Sequence, residues 1–415
     1  MDDKAHIETL VKLLNKANYR YYVTCDPIMS DYDFDINLKE LEALEAKTGY
    51  ILPDSPTQRV GSDLQTGFKT VQRNRIMGSI ANCYDRKEFK DWIESFGLGR
   101  FTWVMEPKYD GLSCSLIYKN GVLVSASTRG NGYVGDDITE NVKTIKSVPL
   151  SLSVHGVDEV PIVTDWHYEN LYVPDEIEIR GEILLPKSEF KKINQKRAEE
   201  GLPLFANERN CAAGSIKQLD PKVTASRNLI FKPYGVYSDD IEFSTNYLNE
   251  QYMMLDVAWI LGFSCPNYWR VGTSDSALKI LDEFETHFLK NQDYCMDGCV
   301  IKISNLSHQE EIGYTQKVPK WAKAFKFKQE NASTKLLDVE WQMGRTGKLT
   351  PVGILDPVEI DGSTVSRASL NNIDYINDLN LQIGSYVFVE KGGAVIPKVT
   401  GVDYERNETE GIELE

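Results

Sequence analysis

Apolar residues recur at helical spacing over the first sixty positions. Ile7, Leu10, Val11, Leu13 and Leu14 predict one helix, and the run Ile36–Leu44 predicts a second. Asp26-Pro27 breaks the two, Ser30 is placed to cap the second, and Leu52–Thr57 reads as a proline-rich loop. From Arg100 the period shortens to that of strands. Phe101–Glu106 and Leu112–Tyr118 are β-rich, and Asn120-Gly121 is a hairpin turn into Val122-Leu123-Val124. Helices are expected over Lys187–Glu200 and Gln251–Leu261, with strands near 177–185, 229–237 and 299–303. Beyond Lys335 the expected strands are short, among them Gly353–Leu355, Pro357–Ile360 and Tyr386–Glu390. Glycines at 344, 347, 362, 384 and 392–393 separate them, as in a small barrel of the oligonucleotide-binding type. The chain is therefore expected to be α+β. The expected divisions are a helical segment over 1–68, a mixed domain over 69–316, a β-barrel over 317–402 and an acidic tail over 403–415.

Composition narrows the class. The 415 residues are 41% hydrophobic and 26% charged, which excludes a disordered chain and a disulfide scaffold. No apolar run reaches the ~20 residues of a membrane span, and Met1-Asp2-Asp3-Lys4 does not open a signal peptide. Seven cysteines without a C-x-x-C spacing point to reduced thiols in the cytoplasm and to no zinc site. The net charge of −16 argues against an acidic partner such as nucleic acid. The charge is unevenly spread, however. Lys187–Lys232 holds ten basic and five acidic residues, Lys317–Lys348 holds eight and three, and each segment is net +5. Two such segments can supply one basic face within an acidic chain.

The chemistry centres on Glu106-Pro107-Lys108-Tyr109-Asp110-Gly111 at the end of a predicted strand. Alternation places Glu106, Lys108 and Asp110 on one face, and Gly111 lets the chain turn and a ligand approach. A lysine between carboxylates reads either as an ion pair or as an amine nucleophile, which must shed its proton before it attacks. Further along come Ser127–Gly132 with Arg129, Glu178–Glu182, Asp297–Lys302, and Trp321–Phe327 with Lys326. Together they offer a nucleophile, two phosphate-binding lysines, an arginine and carboxylates for a ribose or a metal. That inventory suits nucleotidyl transfer.

These strings, in this order, resemble the NAD-dependent DNA ligases over nearly the whole chain. The likeness includes Tyr21-Tyr22-Val23, Asp54–Gly61, Glu106–Gly111, Thr128–Gly135, Phe205–Ser215, Gly344–Gly347 with Leu349-Thr350-Pro351, and Thr364–Ala368. The resemblance implies a nucleotidyltransferase (adenylation) domain over 69–316, an NAD/NMN-binding helical domain before it and an OB-fold after it. It implies that Lys108, with Asp110 beside it, takes AMP from NAD. The AMP then passes to the 5′-phosphate of a DNA nick, and the 3′-hydroxyl seals the nick with Mg2+ assisting. Glu106 is then expected at the adenine edge, Tyr234 on its face, and Arg129 and Glu182 on the ribose side. Lys302 and Lys326 are expected at the α-phosphate, Ser79 and Ile80 against NAD, and Glu182 and Asp297 beside the metal. Tyr21, Tyr22, Asp31, Phe34 and Asp35 would meet the nicotinamide half, and Arg209, Lys217, Arg345 and Arg367 would meet DNA phosphates.

Some positions depart from the family pattern. Phe34 replaces a tyrosine, Lys217 replaces an arginine and so loses its bidentate fork, and Ala394 stands where an acid is usual. The family's zinc, helix-hairpin-helix and C-terminal interaction modules do not follow, so no zinc is expected. Their contribution to sealing would come from a longer chain or a second subunit, self-adenylation would survive without them, and sealing would weaken. Two other readings stay open at this point: an ATP-using or GTP-using nucleotidyltransferase sharing the lysine tetrad, and a DNA-binding subunit without catalysis. The N-terminal Tyr/Asp helices argue against the first, and the intact Lys108 constellation against the second.

Overall fold

The computed structural model describes residues 3–22, 28–60, 67–97, 99–155, 168, 170–205, 207–264, 267–316, 318–327, 332–343, 349–360, 363–392 and 396–412. They fall into two units, Met1–Phe327 and Lys328–Glu415.

The first unit opens with helices Asp3–Tyr22 and Asp31–Thr48, which bury Ile7, Leu10, Val11 and Leu14 against Leu41. Ser30 caps the second helix by accepting from the Asp33 amide, and Gly49 ends it at φ +66°. Where a loop is expected, Pro56–Val60 forms a 3-10 turn. The buried Glu45 explains it: Ser55 and Thr57 each donate to its carboxylate at 2.6 Å, winding the chain around one acid.

The strands of this unit are β1 Thr70–Gln72, β2 Ala81–Cys83, β3 Trp103–Tyr109, β4 Leu112–Lys119, β5 Val122–Thr128, β6 Val134–Asp136, β7 Glu176–Leu184, β8 Ile230–Tyr237, β9 Trp269–Val271, β10 Met296–Ile303 and β11 Ala322–Lys326. They build a five-stranded sheet, β2-β11-β10-β3-β9, a four-stranded sheet, β5-β4-β7-β8, and the pair β1-β6. Consecutive β3 and β4 belong to different sheets, joined only by Asp110-Gly111. A Cβ on Gly111 would lie 2.2 Å from the Ile183 carbonyl oxygen, so only glycine lets the chain cross so close to β7. Alternation sorts each strand. Ile177, Ile179 and Ile183 of β7 enter a core with Leu116, Phe231 and Val236, leaving Glu178, Arg180 and Glu182 on the other face. Trp103 and Met105 of β3 enter a second core with Cys299, Ile301 and Phe325, leaving Glu106 and Lys108 opposite. Asp110 does not continue that face as the sequence predicted. β3 ends at Tyr109, and the Asp110 amide turns to the Cys295 carbonyl instead.

The second unit is a closed barrel, β12-β13-β14-β16-β15, from β12 Ala332–Met343, β13 Leu349–Ile360, β14 Ser363–Ser369, β15 Tyr386–Gly392 and β16 Ile396–Val402. Leu336, Leu355, Val365, Val387 and Val399 fill it. The two short strands expected at 353–355 and 357–360 are one strand. Its pairing with β14 slips between Ile354 and Val358, around Pro357, which has no amide to donate. Among the described residues no helix is long and apolar enough to cross a membrane.

One buried acid lies away from the cleft between the sheets. Asp256, on the buried helix Gln251–Ile260, accepts from Tyr268 at 2.9 Å and Tyr168 at 3.3 Å, and burial pushes its carboxyl up to about 6. An acid whose folded pKa is raised favours the fold when protonated, so stability falls as pH rises from its ordinary 3.8 through about 6. That loss amounts to about 2–3 kcal/mol. Asp256→Asn is expected to raise the melting temperature at pH 8 and to leave it unchanged at pH 4; an equal gain at both would contradict this account.

Candidate functional site

The sheets face each other across a cleft, and two irregularities aim its side chains. In the five-stranded sheet Gly298 of β10 lies opposite Lys108 on one side and Lys326 on the other. The register with β3 slips between Met296 and Gly298, making Asp297 the bulged residue. Its carboxylate reaches both lysines, at 2.8 Å from Lys108 Nζ and 2.8 Å from Lys326 Nζ. A Cβ on Gly298 would lie 1.9 Å from the Phe325 carbonyl oxygen, so the strands close only around glycine.

Deeper on the same wall, Glu106 and Lys302 form a buried pair at 2.8 Å. Gln251 donates to the other Glu106 oxygen at 2.9 Å and to the Tyr234 carbonyl at 3.1 Å. Burial pushes the Glu106 carboxyl above its ordinary range, and Lys302 and Gln251 pull against it.

The opposite wall is β4, β7 and β8. Ser113 lies across from Glu182 in register and donates to it at 2.8 Å. Burial pushes Glu182 up to about 7 against the Ser113 bond and the charges of Lys108 and Arg209. Arg180 donates to Glu178 at 2.7 Å and to the carbonyls of Ile76 and Arg75 at 2.8 and 2.7 Å, holding that stretch against the sheet. Arg73 secures it from the other side by donating to the Arg129 carbonyl at 2.7 Å and to Ser127 at 3.1 Å. The β7–β8 register slips between Arg180 and Gly181, which leaves Tyr234 in a second bulge, half-buried. Burial, then the Glu182 charge, raises its phenol. At the mouth Arg209 meets Asp110 at 2.8 Å; burial raises the Asp110 carboxyl and Arg209 opposes that.

A sequence model of the NAD-dependent DNA ligase adenylation domain matches residues 65–330, which hold both walls of this cleft. The chain belongs to the NAD-dependent DNA ligase family. Models of that family's OB-fold domain and of a DNA ligase-like N-terminal NAD+-binding domain match residues 333–411 and 1–61. The chain is 41% identical to a DNA ligase of Thermodesulfovibrio yellowstonii, over 100% of this chain and 60% of that one. It is 43% identical to a DNA ligase of Porphyromonas gingivalis, over 98% of this chain and 58% of that one. It thus spans about three fifths of the length of these curated relatives.

In this ligase-family chain the structure brings together Glu106, Lys108, Asp297, Lys302 and Lys326 on one wall and Glu182 and Tyr234 on the other. Arg129 is exposed on the turn after β5, its amide bonded to the Ser113 carbonyl. Ser79 is exposed and Ile80 half-buried just before β2. Lys217 pairs with Asp136 at 2.7 Å. Arg367, in the second unit, pairs with Glu340 at 2.5 Å. Phe34 packs against the core of the helical pair. Arg345 and Ala394 lie outside the described residues, as do the side chains of Tyr21, Tyr22, Asp31 and Asp35. Among the described residues no group of three His, Cys, Asp or Glu is placed to hold a metal ion. Gln251, Ser113, Arg73 and Arg180 also serve the cleft and were not expected there from the sequence. Gln251 offered no signal, because its partner Glu106 is 145 residues away.

Buried and exposed pairs should respond differently to loss of one member. Lys302→Met leaves Glu106 buried without its charge partner and should cost ~3–5 kcal/mol of stability. Lys217→Ala, in a pair of partly exposed side chains, should cost ~0–1 kcal/mol. Urea denaturation checks this; equal costs would show that Glu106 does not depend on its buried partner.

Proposed function

We propose that this chain is the catalytic core of an NAD-dependent DNA ligase. The observation that carries the reading is the row Lys108–Gly298–Lys326, facing Glu182 and Tyr234, in a chain whose first residues match an NAD+-binding domain. Lys108 Nζ, as the free amine, attacks the α-phosphorus of NAD. An N–P bond forms as the bond from that phosphorus to the bridging oxygen breaks, and nicotinamide mononucleotide leaves with the oxygen. The AMP passes to the 5′-phosphate of a nick in double-stranded DNA. The 3′-hydroxyl then displaces AMP and joins the strands.

Each displacement piles negative charge around phosphorus, so catalysis is positioning and neutralisation. Lys326, beside Lys108, is the cation at the α-phosphate, and Lys302 supports it from the Glu106 side. Glu106 takes the adenine edge, Tyr234 its face, Arg129 and Glu182 the ribose side, and Ser79 and Ile80 line the approach. Tyr21, Tyr22, Asp31, Phe34 and Asp35 take the nicotinamide half. Asp110 holds Arg209, and Arg209, Lys217, Arg345 and Arg367 meet DNA phosphates. Mg2+ binds through one or two carboxylates plus substrate phosphates, and Glu182 and Asp297 fit that demand. When bound it would add neutralisation at phosphorus. A helical domain over 1–68 accompanies this reading, with an adenylation domain that runs from 69 past the expected limit of 316 to take in β11, which pairs in the five-stranded sheet and not in the barrel expected over 317–402; so does a longer chain or a second subunit completing the grip on DNA.

Incubation with adenylate-labelled NAD or ATP and Mg2+ tests the reading. A covalent AMP adduct is expected with NAD and not with ATP, and Lys108→Ala should abolish it. An adduct formed from ATP alone would make the chain an ATP-using nucleotidyltransferase. No adduct with either would leave a DNA-binding protein.

A further inference from the structure

We infer that Gln251 sets the base selectivity of the nucleotide pocket by holding Glu106 as a pure hydrogen-bond acceptor. The inference rests on the proposed meeting of Glu106 with the adenine. Glu106 is 4% exposed, and a carboxyl so buried tends to protonate and then to donate as well as accept. Two donors oppose that tendency, one on each oxygen: Gln251 Nε2 on Oε1 at 2.9 Å and Lys302 Nζ on Oε2 at 2.8 Å. Both donors are buried, at 4% and 7% exposure, so neither is exchanged for water.

An ionised Glu106 accepts from the 6-amino group of adenine and rejects a purine with oxygen at that position, because two acceptors would face each other. A protonated Glu106 accommodates either base. Buried sites that bond a ligand's polar group discriminate strongly for this reason. The same Gln251 amide donates to the Tyr234 carbonyl at 3.1 Å, tying the carboxylate to the bulge that carries the stacking ring. Gln251 is itself fixed, its backbone amide bonded to the Ser304 carbonyl at 2.7 Å. It acts through Glu106 and is a positioning residue.

The test compares NAD with nicotinamide hypoxanthine dinucleotide, in which oxygen replaces the 6-amino group, in self-adenylation of the whole chain. The quantity read is the ratio of kcat/KM for the two. The unmodified protein should prefer NAD. Gln251→Met, of similar size without the donor, should shrink that preference tenfold or more. Gln251→Glu should shrink it further, since two adjacent carboxyls share a proton, and it serves alone if the methionine variant fails to fold. Equal losses on both dinucleotides, with the ratio intact in either folded variant, would reduce Gln251 to a packing role and overturn the inference. An unmodified protein indifferent to the 6-substituent would instead overturn the placement of adenine at Glu106.

Discussion

Lys108 and Lys326 lie partly buried on either side of Gly298, where their repulsion is less screened than at the open surface. Asp297 offsets that repulsion, bridging Lys108 and Lys326 at 2.8 Å each. It reaches both because β10 carries one extra residue at that point, and it fits because Gly298 leaves no side chain between the lysines. Without the bulge, alternation would carry Asp297 to the core side with Cys299. The five-stranded sheet is thus built around a charge arrangement that flat pairing would not give.

The opposite wall repeats the device. Tyr234 occupies a bulge in β8, and the Gln251 amide ties that bulge to Glu106 on the facing sheet. Both irregularities re-aim a side chain where regular pairing would bury or misplace it. The cleft is also close to internally neutral: Lys302 has Glu106, Arg180 has Glu178, and Lys108 and Lys326 share Asp297. A whole-chain charge of −16 therefore says little about what the cleft accepts. These four cations share three carboxylates, and the acidic excess lies in other segments.

Much of this was legible in the sequence. A strand near 177–185, the hairpin at Asn120-Gly121, with φ +47° and +76°, and the Ser30 cap were all expected and are present. Lys108, Lys302 and Lys326 were found because each ends or lines a strand beside aromatic and glycine signals. What escaped depends on long-range register. A bulge leaves no local mark, so Asp297 was expected beside a metal and nothing in the sequence announced that it bridges two lysines. Asp110 was read as continuing a strand that stops one residue earlier. Pro357 read as the start of a second strand, although one barrel strand passes through it with a slipped pairing. Gln251 heads an apolar helix, and nothing near it in the chain announces a carboxylate partner.

The most direct test of the account is the site of adenylation. After incubation of the whole chain with NAD and Mg2+, proteolysis and mass spectrometry should find AMP on the peptide containing Lys108 and at its Nζ. AMP on Lys302, Lys326 or any other residue, or no AMP on any peptide, would contradict it.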